Sequence, residues 1–97
     1  MSNNLGLVDI VEKSGNQDVT IIELDLASFA SVRKCAATVL QNEAKLHILI
    51  NNAGFAERGK TLTVDGLEQQ MQTNHFGHFL LTNLLLGMLN NFFIFVC

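Results

Sequence analysis

The sequence has no tyrosine, so no phenol is present to act as a general acid or base. Its two cysteines, Cys35 and Cys97, lie far apart and outside any Cys-x-x-Cys spacing. That excludes a disulfide framework and a zinc pattern, and makes a reduced compartment the default expectation. Basic residues are scarce, six against nine acidic ones for a formal charge of −3. No basic stripe is available for a phosphate backbone, and nucleic-acid binding is not expected. None of the seven glycines falls in a G-x-G-x-x-G cluster, the pattern that cradles a pyrophosphate at a helix start. The opening Met1-Ser2-Asn3-Asn4-Leu5 lacks a basic stretch followed by an apolar one; no secretory signal is read there, and a cytoplasmic location is expected.

What is present is 97 residues, 48% of them hydrophobic and 15% charged, a composition suited to one small globular domain rather than a disordered segment. Every charged side chain lies at or before Glu68. The uncharged end from Phe76 to Cys97 has the length of a membrane span but is interrupted by His78, Asn83, Asn90 and Asn91. It reads either as membrane-associating or as a core helix that needs few charges because both sides are covered.

Leu5, Val8 and Val11 mark the end of a short amphipathic helix, stopped by the turn cluster Ser14-Gly15-Asn16-Gln17-Asp18. Residues 19–24, rich in β-branched side chains, read as a strand with Asp25 at its C-terminal end. Ser28 is a candidate N-cap for a helix whose face is Phe29, Val32, Ala36, Val39 and Leu40 and which ends near Glu43. Residues 46–50 are too short for a helix and read as a second buried strand. Strand, helix, strand in this span is a βαβ unit, for which a parallel sheet and a right-handed crossover are expected. After a loop holding Glu57, Arg58, Gly59 and Lys60, Asp65-x-x-Glu68 resembles an acidic capping box. The long helix it opens, from Gly66 to about Asn90, would measure about 37 Å.

Ligands of open parallel sheets bind beyond the carboxyl ends of the strands, where Asp25 and the segment Asn51-Asn52-Ala53-Gly54 fall. Asp25 serves either as a ligand contact or as a negative charge near the N-terminus of the following helix. Asn51 to Gly54 is either a loop built for close approach or a turn rich in Asn and Gly for local reasons. Asn74 stands inside a helix, where asparagine competes for backbone hydrogen bonds; it either serves a local purpose such as a kink or faces solvent. His75 and His78 are three apart without a third ligand at metal spacing, so packing or hydrogen bonding is expected and no metal site. His47 is expected to cap a strand edge, and Cys35 to act as a small hydrophobe.

Leu24-Asp25-Leu26-Ala27-Ser28, Leu49-Ile50-Asn51-Asn52-Ala53-Gly54 and the run NHFGHFLLTN at 74–83 together resemble the short-chain dehydrogenase/reductase superfamily, and within it the retinol dehydrogenase-like branch. The resemblance covers residues 18–90, with a divergent tail at 91–97. It implies an α/β fold, a partial Rossmann-type doubly wound parallel sheet of β-α-β-α order, forming a single partial NAD(P)-binding domain over 1–97. It implies NAD or NADP as cofactor and a retinoid or other lipophilic alcohol or carbonyl as substrate. By resemblance Asp25 receives the adenine amino group with help from the Leu26 backbone, and Asn51, Asn52, Ala53 and Gly54 line the adenosine ribose and steady the sheet. Asn74 becomes the asparagine of the catalytic tetrad, helping to hold a water in the proton relay. The tetrad's serine, tyrosine and lysine find no counterpart, since no serine follows Ser31. The expectation is therefore a truncated central fragment, inactive alone. The alternatives are a non-catalytic partner of a full-length relative, pairing through the 80–89 face in a homo- or hetero-oligomer, and a small protein associated with an intracellular membrane.

Overall fold

The computed structural model describes residues 4–57 and 59–89. Helix α1, Asn4–Ser14, is followed by α2, Phe29–Asn42, and then by a continuous helical run made of α3, Gln69–Met71, a π-helical turn, Gln72–Phe76, and α4, Gly77–Leu89. The divergent tail lies outside the described residues.

Helix α1 stops where its sequence turns to Ser and Gly. Ser14 Oγ donates back to the Ile10 carbonyl at 2.6 Å, and Gly15, at φ +71°, donates to the Val11 carbonyl. A left-handed residue after the last turn favours glycine because it has no Cβ to clash. Among the described residues α1 packs on no other helix. Helix α2 begins where Ser28 predicts it, with the Ser28 side chain accepting from the Ser31 amide, and ends at Glu43. Its inner face is Val32, Cys35 and Ala36. Leu40, assigned to that face by periodicity, is 48% exposed.

The core is the contact of α2 with α4: Val32, Cys35 and Ala36 meet Leu81 and Leu85, closed at one end by Leu26. Ile22, Val39, Leu46, Leu80, Leu84 and Met88 pack around it, half-buried.

The two expected strands are not formed. Residues 19–24 and 46–50 carry no regular structure, and no backbone hydrogen bond joins them. Ile22 and Leu46 rest on the α2–α4 core, whereas Ile21, Ile48 and Ile50 are exposed. A parallel ladder is stable only when both faces of the sheet are covered, and here apolar cover exists only on the side where Ile22 and Leu46 meet the helices. The expected sheet is thus replaced by two apolar segments without a ladder.

The long helix also starts later than its acidic motif suggests. Thr63 and Gly66 close a tight turn, with the Gly66 amide donating to the Thr63 carbonyl and the Thr63 amide to the Leu67 carbonyl. Gly66 sits at φ +78°, outside helical space. Thr61 and Gln69 bond across the same small hairpin. The cap is Glu68, whose carboxylate accepts from the Gln70 and Met71 amides at 2.8 and 3.0 Å, so an acidic side chain near the helix start satisfies donors left without intrahelical partners. Among the described residues no helix is long and apolar enough to cross a membrane.

Candidate functional site

The site is organised by the first half of the α4 run. In the π-helical turn the Gly77 amide reaches back to the Gln72 carbonyl, five residues away. Such widened turns change the direction of side chains and concentrate at functional positions. Asn74 stands in the middle of this turn, and both ends of its amide clasp one residue: the Phe55 amide donates to Asn74 Oδ1 at 2.8 Å, and Asn74 Nδ2 donates to the Phe55 carbonyl at 2.7 Å. The side chain thus imitates a strand neighbour.

Two further contacts repeat the pattern. His78 lies 2.8 Å from the Ala53 carbonyl through Nε2, and because a carbonyl only accepts, Nε2 carries the proton. Asn51, buried at 5% exposure, donates from Nδ2 to Thr82 Oγ1 at 3.0 Å. Asn74, His78 and Thr82 are four residues apart along one helical face, and they hold Phe55, Ala53 and Asn51, alternate residues of an extended segment. A helical period of four is matched to an extended period of two, and the pair forms a polar zipper that fixes the Asn51-Asn52-Ala53-Gly54 loop. Gly54 lies against the same amide, since a Cβ there would be in van der Waals contact with Asn74 Oδ1 at 3.4 Å.

Gly77 carries the other motif. A Cβ at this position would come within 2.7 Å of the Leu26 carbonyl, so glycine is required for α4 to approach the turn after residues 19–24. Leu26 is buried in the core. Asp25 is exposed, and its Oδ1 accepts from the Ala27 amide at 3.0 Å while its own amide donates to Ser31 Oγ at 2.8 Å. Leu26 and Ala53 therefore meet α4 at consecutive residues, Gly77 and His78.

A cleft of about 340 Å3 opens beside the zipper, with Asn51, Asn74, His78 and Thr82 on one part of its wall and Phe79 and Leu86 on another. Asp25, Asn52, Ala53 and Gly54 are not among its lining residues. His75 is turned toward Phe76 and Phe79, 5.2 Å and 6.3 Å between ring centroids. Of the two histidines, only His78 enters the zipper, and its Nδ1 is buried with no partner among the described residues.

Sequence reasoning expected packing or hydrogen bonding of His78, as found, but missed its zipper partner Thr82 and a second network centred on Gln72. Gln72 is fully buried, accepts from the Thr63 hydroxyl and donates to Asp65 Oδ2. Asp65 Oδ2 also accepts from the Phe29 amide at 2.7 Å, so the residue expected to cap the long helix instead caps α2. The available signal was the recurrence of polar residues at 74, 78 and 82 in an otherwise apolar run; for Gln72 and Asp65 there was none, since both bonds are tertiary.

Exposed Asn52, Ala53 and Gly54, followed by the free approach that small side chains allow, together with the exposed Asp25 carboxylate, suit the adenosine end of a dinucleotide. The sequence carries no G-x-G-x-x-G turn for a pyrophosphate.

The family model described as short chain dehydrogenase matches residues 2–91. Human retinol dehydrogenase 14 is 51% identical over 78 residues, which cover 80% of this chain and 23% of that protein. Human retinol dehydrogenase 13 is 48% identical over 81 residues, 84% of this chain and 24% of that protein. Among solved structures, an NADPH-bound carbonyl reductase from chicken fatty liver superposes with a TM-score of 0.61 at 29% identity, covering 87% of this chain and 34% of that one. The chain spans about a quarter of the length of the curated relatives it matches.

Proposed function

The chain belongs to the short-chain dehydrogenase family, and from that premise we propose that it is a central segment of an NAD(P)-dependent, retinol dehydrogenase-like oxidoreductase that builds the adenosine side of the cofactor site and turns over no substrate by itself. The observation that carries this reading is the zipper, because it presents the Asn51-Asn52-Ala53-Gly54 loop one helical position from the Asp25-Leu26 turn. In the assembled family domain, 19–24 and 46–50 become neighbouring strands of a doubly wound parallel sheet, once further strands supply the missing edges and cover.

Each residue then has a defined task. The Asp25 carboxylate accepts from the adenine amino group beside the Leu26 backbone. Asn52, Ala53 and Gly54 let the ribose approach, and Asn51, tied to Thr82, keeps that loop in register. Asn74 uses one bond at each end of its side chain to clasp Phe55, which leaves a second acceptor and a second donor site for its share in holding a relay water. Bound NAD(P) would supply the hydride acceptor or donor; the general acid needed at the alcohol oxygen is a tyrosine in the family, and these 97 residues contain none.

Saturation-transfer NMR with NADH tests the reading. Adenine and adenosine-ribose protons are expected to receive magnetisation while nicotinamide protons do not, and Asp25→Ala should remove the adenine signal. Transfer to both ends alike, or none, rejects it.

A second reading rests on Phe79 and Leu86, which are 64% and 44% exposed on α4. That face suits pairing with a full-length relative. Co-purification with such a relative, lost on Phe79→Asp and Leu86→Asp, would support it, and unchanged capture would reject it. Leu84 and Leu85 belong to the core packing and are not suitable probes.

A further inference from the structure

Arg33 carries the one charge among the described residues on the walls of a second cleft, about 410 Å3, between α2 and the α4 run. This cleft shares Phe79 and Asn83 with the first but none of the residues that hold the Asn51 to Gly54 loop. Apart from Arg33 and Asn83 its described walls are apolar: Phe29 from α2, Leu67 from the hairpin, and Phe76, Phe79 and Leu80 from the long helix. Phe76 is 38% exposed and Phe79 64%, large rings left in water at a site whose volume lies in the range of small-molecule pockets, roughly 300–1,000 Å3.

The polar groups at the rim select the sign of the ligand. Among the described residues Arg33 makes no ion pair. Asn83 Nδ2 is taken by the Phe79 carbonyl at 2.8 Å. Asp65, which bonds the Phe29 amide, shares the same oxygen with Gln72 Nε2 and forms no salt bridge among the described residues. Phe29 and Arg33, one helical turn apart on α2, both line the cleft. A guanidinium at the edge of an apolar cleft matches a carboxylate bidentately. A second copy of the chain fits less well, since closing over this cleft would bury Arg33 against walls that offer it no carboxylate.

We propose that this cleft binds a lipophilic carboxylate, with the hydrocarbon chain on the Phe29, Leu67, Phe76 and Leu80 walls and the carboxylate on Arg33. The site does not depend on the dinucleotide reading. Titration calorimetry of the full chain with decanoate and with 1-decanol, both below micelle-forming concentration, tests it. Decanoate should bind one to one and roughly tenfold more tightly than decanol. Arg33→Gln should bring decanoate down to the decanol level without changing decanol, while Lys34→Gln, a neighbouring exposed cation off this wall, should change neither. Phe76→Ser should weaken both ligands. Circular dichroism of each variant should match the parent. Equal affinity for acid and alcohol, decanoate binding unaffected by Arg33→Gln, or no saturable binding of decanoate would overturn the assignment.

Discussion

The Asp65 carboxylate joins two parts of the chain that are distant in sequence, accepting from the Phe29 amide at the start of α2 and from the buried Gln72 side chain. The Phe29 amide first, then Gln72, hold its carboxyl below the ordinary value of 3.8, with burial opposing them. A carboxyl whose folded pKa is depressed contributes stability that is fully present above its unfolded pKa and is lost as pH falls through the folded one. The chain should therefore lose thermal stability on acidification below about pH 4. Asp65→Asn keeps an acceptor for Phe29 without a titrating group, so its melting temperature should fall less over that interval; parallel acid limbs for the two proteins would remove Asp65 as the cause. Cys35 shows the opposite direction, its thiol pushed above 9.0 by burial. Since the thiolate is the reactive form, a Cys97→Ser chain should label slowly with a maleimide at neutral pH and rapidly once unfolded by urea. Equal rates would show that the α2–α4 core does not shield it.

At the scale of elements the zipper sets the position of the loop, and its energetics are those of buried polar groups. Thr82→Val preserves shape but leaves the buried Asn51 amide without its acceptor, a cost of about 1–3 kcal/mol. Chemical denaturation should register that loss, whereas Leu86→Ala, at a half-exposed position of the same helix, should stay within about 0.5 kcal/mol. Similar losses for the two would mean that the zipper contributes only helix propensity. These contacts also show what sequence could and could not convey. Ser28 and Glu43 bound α2 as read because both act within one turn, Ser28 accepting from the Ser31 amide and the Glu43 amide donating to the Val39 carbonyl. Asp65 and Glu68 misled because two acidic residues compete for one helix start, and Gly66 at positive φ hands the cap to Glu68 while Asp65 reaches α2. Asn51 and Asn74 were identifiable as chemical positions, and the structure brings both to one cleft. Their partners Thr82 and Phe55 were not, because nothing local distinguishes a threonine in an apolar helix from a packing residue.

For the whole molecule, the decisive feature is that 19–24 and 46–50 have strand composition without a ladder. β-propensity expresses the fit of a side chain to a half-buried, paired surface, and pairing depends on neighbours that no single segment can specify. Ile21, Ile48 and Ile50 remain exposed, alongside backbone donors and acceptors without ladder partners, the combination that recruits another chain. The purified chain should accordingly associate as concentration rises, with sedimentation velocity showing species larger than a monomer in the micromolar range. Ile48→Lys with Ile50→Lys should shift the distribution toward monomer while retaining the helical signal of α2 and α4, because neither residue belongs to the α2–α4 core. If association instead runs through the exposed α4 face, the lysine pair will leave it unchanged and Phe79→Asp will abolish it. A sharp cooperative melt from a concentration-independent monomer would show that the described helices suffice for a closed fold, and that the open strands need no partner.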